Sequence, residues 1–286
     1  MKVGVAFSGG GIRGAAHLGI MQALHENGVV PSIYTGTSSG SIAAVLLALG
    51  YTPIEAFEKF KKVRSIIDIA YFHILKGLFT PSKIKGIAKG KKLHRVLDDV
   101  FDGRQFSHVC EQDVKLGVIA TRILTGEQTI FANSEILDPS KINDDHFLWY
   151  PLFEKNLSGF VRASCSIPGI YLPYEVNKEE YVDGGITNNL PSDIAYALGA
   201  EKVIAIDLGY SGKTREVGGI MEILSQSIYV MVESIIDDHD YQSGIYLNPE
   251  IYDIGSLEIS KTNECYIRGY EYAMANMKEI LEKLGD

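Results

Sequence analysis

The 286-residue chain has only three cysteines, Cys110, Cys165 and Cys265. They lie far apart and show no CxxC spacing, so neither a disulfide framework nor a zinc site is expected. A reducing compartment fits this usage. Long apolar runs are also missing, and nothing reaches the roughly 18–20 apolar residues of a membrane span. The opening MKVGVAFSGGG passes from a short apolar run straight into glycines, without the h-region of a signal peptide. A cytoplasmic protein with no signal peptide and no transmembrane segment is therefore expected. Basic charge is in deficit: 27 Lys and Arg stand against 36 Asp and Glu, a net charge of −9, which argues against generic nucleic-acid binding. No internal repeat, low-complexity tract or linker breaks the chain, so a single domain over 1–286 is expected.

What remains is an ordinary globular composition, 46% hydrophobic and 22% charged. Val3–Phe7 reads as a buried strand that ends in a glycine turn. Ala15–Leu24 has helical apolar spacing, and Asn27-Gly28 stops it. Ile33–Thr35 is a second strand, followed by Gly36-Thr37-Ser38-Ser39-Gly40 and an Ala/Leu-rich helix over Ser41–Leu49. Thr52-Pro53-Ile54-Glu55 has the form of a capping box. Val114–Ala120, Glu127–Phe131, Tyr181–Asp183 and Val203–Leu208 read as further strands, with a helix over Asp193–Leu198. Helical spacing returns over Ile220–Ile236 and again over 267–284. Strands alternating with helices predict an α/β domain with a mostly parallel sheet.

Three strand-to-glycine turns carry the chemistry. The first, Gly9-Gly10-Gly11-Ile12-Arg13-Gly14, matches GxGxxG between a strand and a helix. That is the dinucleotide-binding fingerprint, but the acid required about 20 residues later is replaced by Tyr34 and Thr35. The same amides at a helix start equally suit an oxyanion hole, with Arg13 adding positive charge. On its own the loop serves either use. The second turn, around Ser38, has the GxSxG form and strand–helix context of a nucleophile elbow. It is also a common polar helix cap. The third places Asp183 at a strand end before Gly184 and Gly185, on the sheet edge where ligands bind. A serine needs a base to attack. Of the seven histidines, only His239 follows Asp183, within an acidic Asp237-Asp238-His239-Asp240 stretch. His17 lies inside the first helix, as a packing or hydrogen-bonding residue. Oxyanion donors, a nucleophile and a base supplied together favour the catalytic reading over three unrelated turns.

The stretches FSGGGIRGAAHLG, GTSSGSIAA, IATRILTGEQTIF, RASCSIPGIYLP and YVDGGITNNLPSDIAYALGAEKVIAID occur in this order over residues 5–208. In this the chain resembles the bacterial patatin-like phospholipases. The resemblance implies a three-layer α/β/α sandwich, with a helical C-terminal extension packed on the catalytic region. It implies hydrolysis of lipid carboxylic esters without a cofactor or metal. Ser38 would be the nucleophile and Asp183 its direct base in a Ser–Asp dyad, which accounts for the missing triad histidine. Gly9, Gly10, Gly11, Arg13 and Gly14 would form the oxyanion hole, while Gly36, Gly40, Gly184 and Gly185 shape the turns. Arg122 is a departure, standing where an acidic residue is expected. The alternatives are a nucleotide-binding oxidoreductase using the GxGxxG loop, and a catalytically silent lipid-binding protein of the same fold.

The scarce basic charge is concentrated. Residues 59–95 hold eleven Lys and Arg against the single acid Asp68, interleaved with apolar and aromatic residues such as Tyr71, Phe72 and Phe79. Such a segment suits peripheral contact with an anionic membrane, and it equally suits the wet face of a helix over a core. The expected partners are a phospholipid or other lipid ester, with no nucleic acid. Oligomeric state is silent in the sequence.

Overall fold

The computed structural model describes residues 1–63, 86–209, 223, 226, 227, 230, 231 and 244–285. Of the helix expected over 220–236, the five described residues are helical. His239 and its acidic neighbours lie outside the described residues, as do residues 64–85 of the basic segment.

The chain opens with β1 (Val3–Phe7), a short 3-10 turn over Gly11–Gly14, and α1 (Ala15–Glu26). β2 (Ile33–Thr37) leads directly into α2 (Ser39–Ala48). α3 (Pro53–Val63) starts at the predicted capping box. Thr52 N donates to Glu55 Oε2 at 2.9 Å, and Glu55 N donates back to Thr52 Oγ1 at 3.4 Å. β3 (Gly86–Ala88), α4 (Lys91–Val100) and α5 (Phe106–Cys110) follow. Next come β4 (Lys115–Arg122), β5 (Gln128–Ala132), β6 (Phe147–Pro151) and α6 (Leu157–Ser164). β7 (Gly169–Tyr171), β8 (Tyr174–Val176) and β9 (Glu179–Asp183) precede α7 (Ser192–Ala197). β10 (Lys202–Ile206), β11 (Ile245–Leu247) and the long α8 (Thr262–Gly285) complete the order.

One sheet carries the strands in the order β11-β10-β1-β2-β4-β5-β6, with β9 on β4 and β8 on β9. β11, β10, β1, β2 and β4 run parallel, and β5 and β9 run antiparallel to β4. Alternation along the strands sends side chains to two faces. Val5, Phe7, Tyr34, Leu116 and Val118 meet α1, α2, α3 and α6 on one face. Ala6, Ile33, Ile119, Val203 and Ala205 meet α7 on the other. The result is a three-layer α/β/α sandwich around a mostly parallel sheet. The part after residue 208 is not purely helical, because β11 adds an edge strand beside β10.

α1 and α8 pack at backbone contact. A Cβ at Gly19 would sit 2.0 Å from Tyr266 O, and one at Gly269 would sit 2.4 Å from Ala16 O. Two glycines facing two helices in this way leave room for nothing larger. Among the described residues, no helix is long and apolar enough to cross a membrane.

Candidate active site

The register of β4 brings Ser38 and Asp183 together. β5 occupies one side of β4 along Gly117–Thr121. β2 lies on the other side and stops where Thr37 faces Ile119. β9 approaches along that same side from the opposite direction and stops where Asp183 faces Ala120. The ends of two strands therefore meet head to head, one register step apart. Residues 145 positions apart in sequence become neighbours, and Ser38 Oγ donates to Asp183 Oδ2 at 2.8 Å.

Ser38 has φ 52° and ψ −124°, a conformation that costs a non-glycine residue about 1–3 kcal/mol. The surroundings hold it there. Ser38 N donates to Ser164 Oγ at 2.8 Å, and Ser38 O accepts from Ser41 N and Ser41 Oγ. The glycines of the elbow are required by space: a Cβ at Gly40 would lie 2.3 Å from Phe7 O, and one at Gly36 would lie 2.5 Å from Gly40 O. Gly184 is likewise pressed against Ile119 O, while Gly185 N donates to Asp183 Oδ1 at 2.9 Å.

Ser38 and Asp183 are each 8% exposed. Burial raises the Asp183 carboxyl from its ordinary value to about 6, against the opposing pull of Gly185 N–H, the Ser38 hydroxyl and Arg162. A carboxylate poised near neutrality and bonded to a strained serine hydroxyl can accept that proton as the oxygen attacks. His17 is fully buried elsewhere, beneath the glycine loop. Its Nε2–H donates to Ser8 O at 2.8 Å, and burial lowers its pKa to about 4. The ring is neutral and braces the loop, the packing and hydrogen-bonding role expected for it.

The glycine loop lies beside the elbow. Gly9 N is shared between Asn189 Oδ1 at 3.1 Å and Asn189 O at 3.3 Å. Ile12 N donates to Ser256 O at 2.9 Å. Between them, Gly10 and Gly11 have no acceptor for their N–H groups among the described residues. Gly11 holds φ +63° with its Cα against Ser256. Arg13 is buried and donates from Nε to Gly10 O at 3.3 Å, so it holds the loop's shape. Gly14 packs closely on Ser39 Oγ. Two adjacent amides in a loop that packs on the serine elbow are the kind of donor a developing oxyanion requires. Among the described residues, no group of three or more His, Cys, Asp or Glu is placed to hold a metal ion.

Sequence reasoning gave no role to Asn189, Ser164, Ser166 or Arg162. All four lie within stretches quoted for the family resemblance, and that was their only signal. Arg122, the departure, is bonded to Glu127 at 3.1 Å and Glu179 at 2.6 Å. It ties the β4–β5 turn to the start of β9. The described part of the basic segment divides: Lys59 pairs with Asp102 and Lys61 with Glu58, while Lys62, Lys89, Lys91, Lys92 and Arg95 are exposed.

Fold and geometry define an α/β protein whose hydrolase-type serine elbow faces an aspartate at the carboxyl edge of a parallel sheet. The sequence profile of the patatin-like phospholipases matches residues 5–196. The chain belongs to the patatin-like phospholipase family. An uncharacterized NTE family protein of Mycobacterium tuberculosis is 31% identical over 207 residues, 72% of this chain and 30% of that protein. Human patatin-like phospholipase domain-containing protein 6 is 27% identical over 310 residues, 96% of this chain and 20% of that protein. The chain thus spans less than a third of these curated relatives. Among solved structures, VipD from Legionella pneumophila superposes with a TM-score of 0.53 at 15% identity, covering 97% of this chain and 67% of that one. That likeness concerns the fold.

Proposed function

We propose that this protein hydrolyses lipid carboxylic esters through a Ser–Asp dyad and an acyl-enzyme. The observation that carries the reading is the 2.8 Å bond from Ser38 Oγ to a buried Asp183. Ser38 attacks the ester carbonyl and Asp183 takes its proton. Gly10 and Gly11 N–H groups receive the tetrahedral oxyanion. Asp183 returns the proton to the departing alcohol, which leaves as the acyl-enzyme forms. It then deprotonates water, whose attack releases the fatty acid and restores Ser38. Membership of the family supports the substrate class, and the hydrogen bond between the buried Ser38 and Asp183 supports the route. No cofactor or metal takes part. The same proposal includes peripheral contact with an anionic lipid surface through the basic segment 59–95, whose described part exposes Lys89, Lys91, Lys92 and Arg95.

The test is covalent labelling. A fluorophosphonate should modify wild type once, at the peptide containing Ser38, and abolish hydrolysis of a short-chain nitrophenyl ester. Ser38→Ala should take up no label, and its activity should fall about 10³-fold or more. Labelling elsewhere, or an active Ser38→Ala variant, refutes the assignment.

A further inference from the structure

Arg162 is the largest buried side chain whose partners do not explain its charge. It is 1% exposed. Arginine is almost never so deeply buried without a paired anion. Yet its three acceptors are neutral. Nε donates to Gly90 O at 3.2 Å, Nη2 donates to Leu172 O at 3.1 Å, and Nη1 donates to Ser166 Oγ. The guanidinium lies over the ring of Tyr171 at 4.8 Å and that of Tyr174 at 5.8 Å. Among the described residues, it forms no ion pair with a carboxylate. The carboxylate whose charge it senses is Asp183.

The turn at the end of α6 that Arg162 locks is the turn that holds both dyad residues by their main chain. Ser164 Oγ accepts from Ser38 N at 2.8 Å, and Ser166 O accepts from Asp183 N at 3.0 Å. Ser166 Oγ donates to Arg162 O at 2.9 Å, so its lone pairs face the guanidinium. One short segment, 162–166, therefore spans the gap between nucleophile and base. The fork geometry of arginine, with several donors in one plane, suits a clamp of this kind.

Building on the reading of Ser38 and Asp183 as the dyad, we propose that Arg162 is a positioning residue for the reaction. Through Ser164 and Ser166 it fixes the distance between the dyad residues, and it supplies a buried positive charge that offsets a small part of the cost of burying the Asp183 carboxylate. The groups facing Asp183 allow no other described source for that charge. The Ser38 hydroxyl and Gly185 N–H are neutral, and burial pushes the Cys165 thiol up to about 12, so it carries no charge at working pH.

The full chain is tested as Arg162→Met, Arg162→Lys and Ser166→Ala, with nitrophenyl-ester kinetics across pH and folding checked by circular dichroism. In Arg162→Met the acid limb of kcat/KM should move up, because an opposite charge has left the surroundings of the carboxylate. Its kcat should fall at least tenfold with KM within about twofold. Arg162→Lys should return the limb toward the wild-type midpoint while kcat recovers only in part, since an ammonium cannot fill the fork. Ser166→Ala keeps the cation and cuts the link, so kcat should fall severalfold. A folded Arg162→Met with an unmoved acid limb overturns the proposal. If that variant does not fold, Ser166→Ala decides, and a kcat within twofold of wild type overturns it. Wild-type activity that survives Ser38→Ala would instead remove the dyad reading itself, and the inference with it.

Discussion

Replacing Asp183 by asparagine should abolish activity and make the protein more stable. The magnitude follows from burial. The folded carboxyl titrates at about 6, two units above its ordinary 3.8. Each unit corresponds to about 1.4 kcal/mol, so keeping Asp183 ionised in the folded protein costs about 3 kcal/mol above pH 6. The sign is fixed by proton counting. Between pH 3.8 and 6 the folded state holds a proton that the unfolded state has lost. Stability is therefore greatest below that window and falls as pH rises through it. Asparagine has the same shape, keeps an oxygen for Gly185 N–H, and carries no charge at any pH. At pH 8 the variant should gain about 1–3 kcal/mol, or about 2–5 °C in Tm for 286 residues. At pH 4 the two proteins should melt nearly together. The titration of His17 is common to both and cancels. The assay is thermal unfolding by circular dichroism at both pH values. An Asp183→Asn protein that melts at or below wild type at pH 8 would refute the claim that burial strains this carboxylate.

Three further outcomes follow from the same geometry. Hydrolysis of a soluble ester should show an acid limb in kcat/KM with its midpoint near pH 6, where Asp183 gains the proton it must accept; a midpoint near pH 4 would remove the perturbed base. His17, depressed from 6.5 to about 4, should drain stability as pH falls through that window, by about 3 kcal/mol in all. His17→Gln should lose less than wild type between pH 7 and 4.5 in urea titrations, and equal losses would show that His17 does not titrate this way. Charge reversal of Lys89, Lys91 and Lys92 to Glu should reduce sedimentation with anionic vesicles and leave the soluble-ester rate near wild type; undiminished sedimentation would end the docking proposal.

The strands that build the site were legible because each announces itself within a few residues. Val3–Phe7 and Lys202–Ile206 are β-prone runs, and the glycine turns mark where the chain leaves the sheet. The serine elbow and the Asp183 turn were legible for the same local reason. The head-to-head meeting of β2 and β9 was not, because it depends on the register of both against β4, a relation across 145 positions. β7 and β8 are three residues each, too short to show a period. Arg162 was hidden by its own chemistry. A sequence displays a charged residue, and only packing reveals that it is buried. Asn189 had no signal of its own either, since its partner is a backbone amide 180 positions away.

The bare backbones of α1 and α8 at Gly19 and Gly269 make the two helices a single inherited unit. Neither surface can drift by one methyl without displacing the other. α1 begins directly after the glycine loop, and Ser256 grips that loop from just before α8. A saturation scan for loss of hydrolysis would therefore show sensitive positions on an outer layer of the sandwich, far from the dyad, as well as at its centre. In an alignment of relatives, each of these two positions would be expected to stay glycine, and a chain cut short at residue 196 would leave α1 with its backbone open to water.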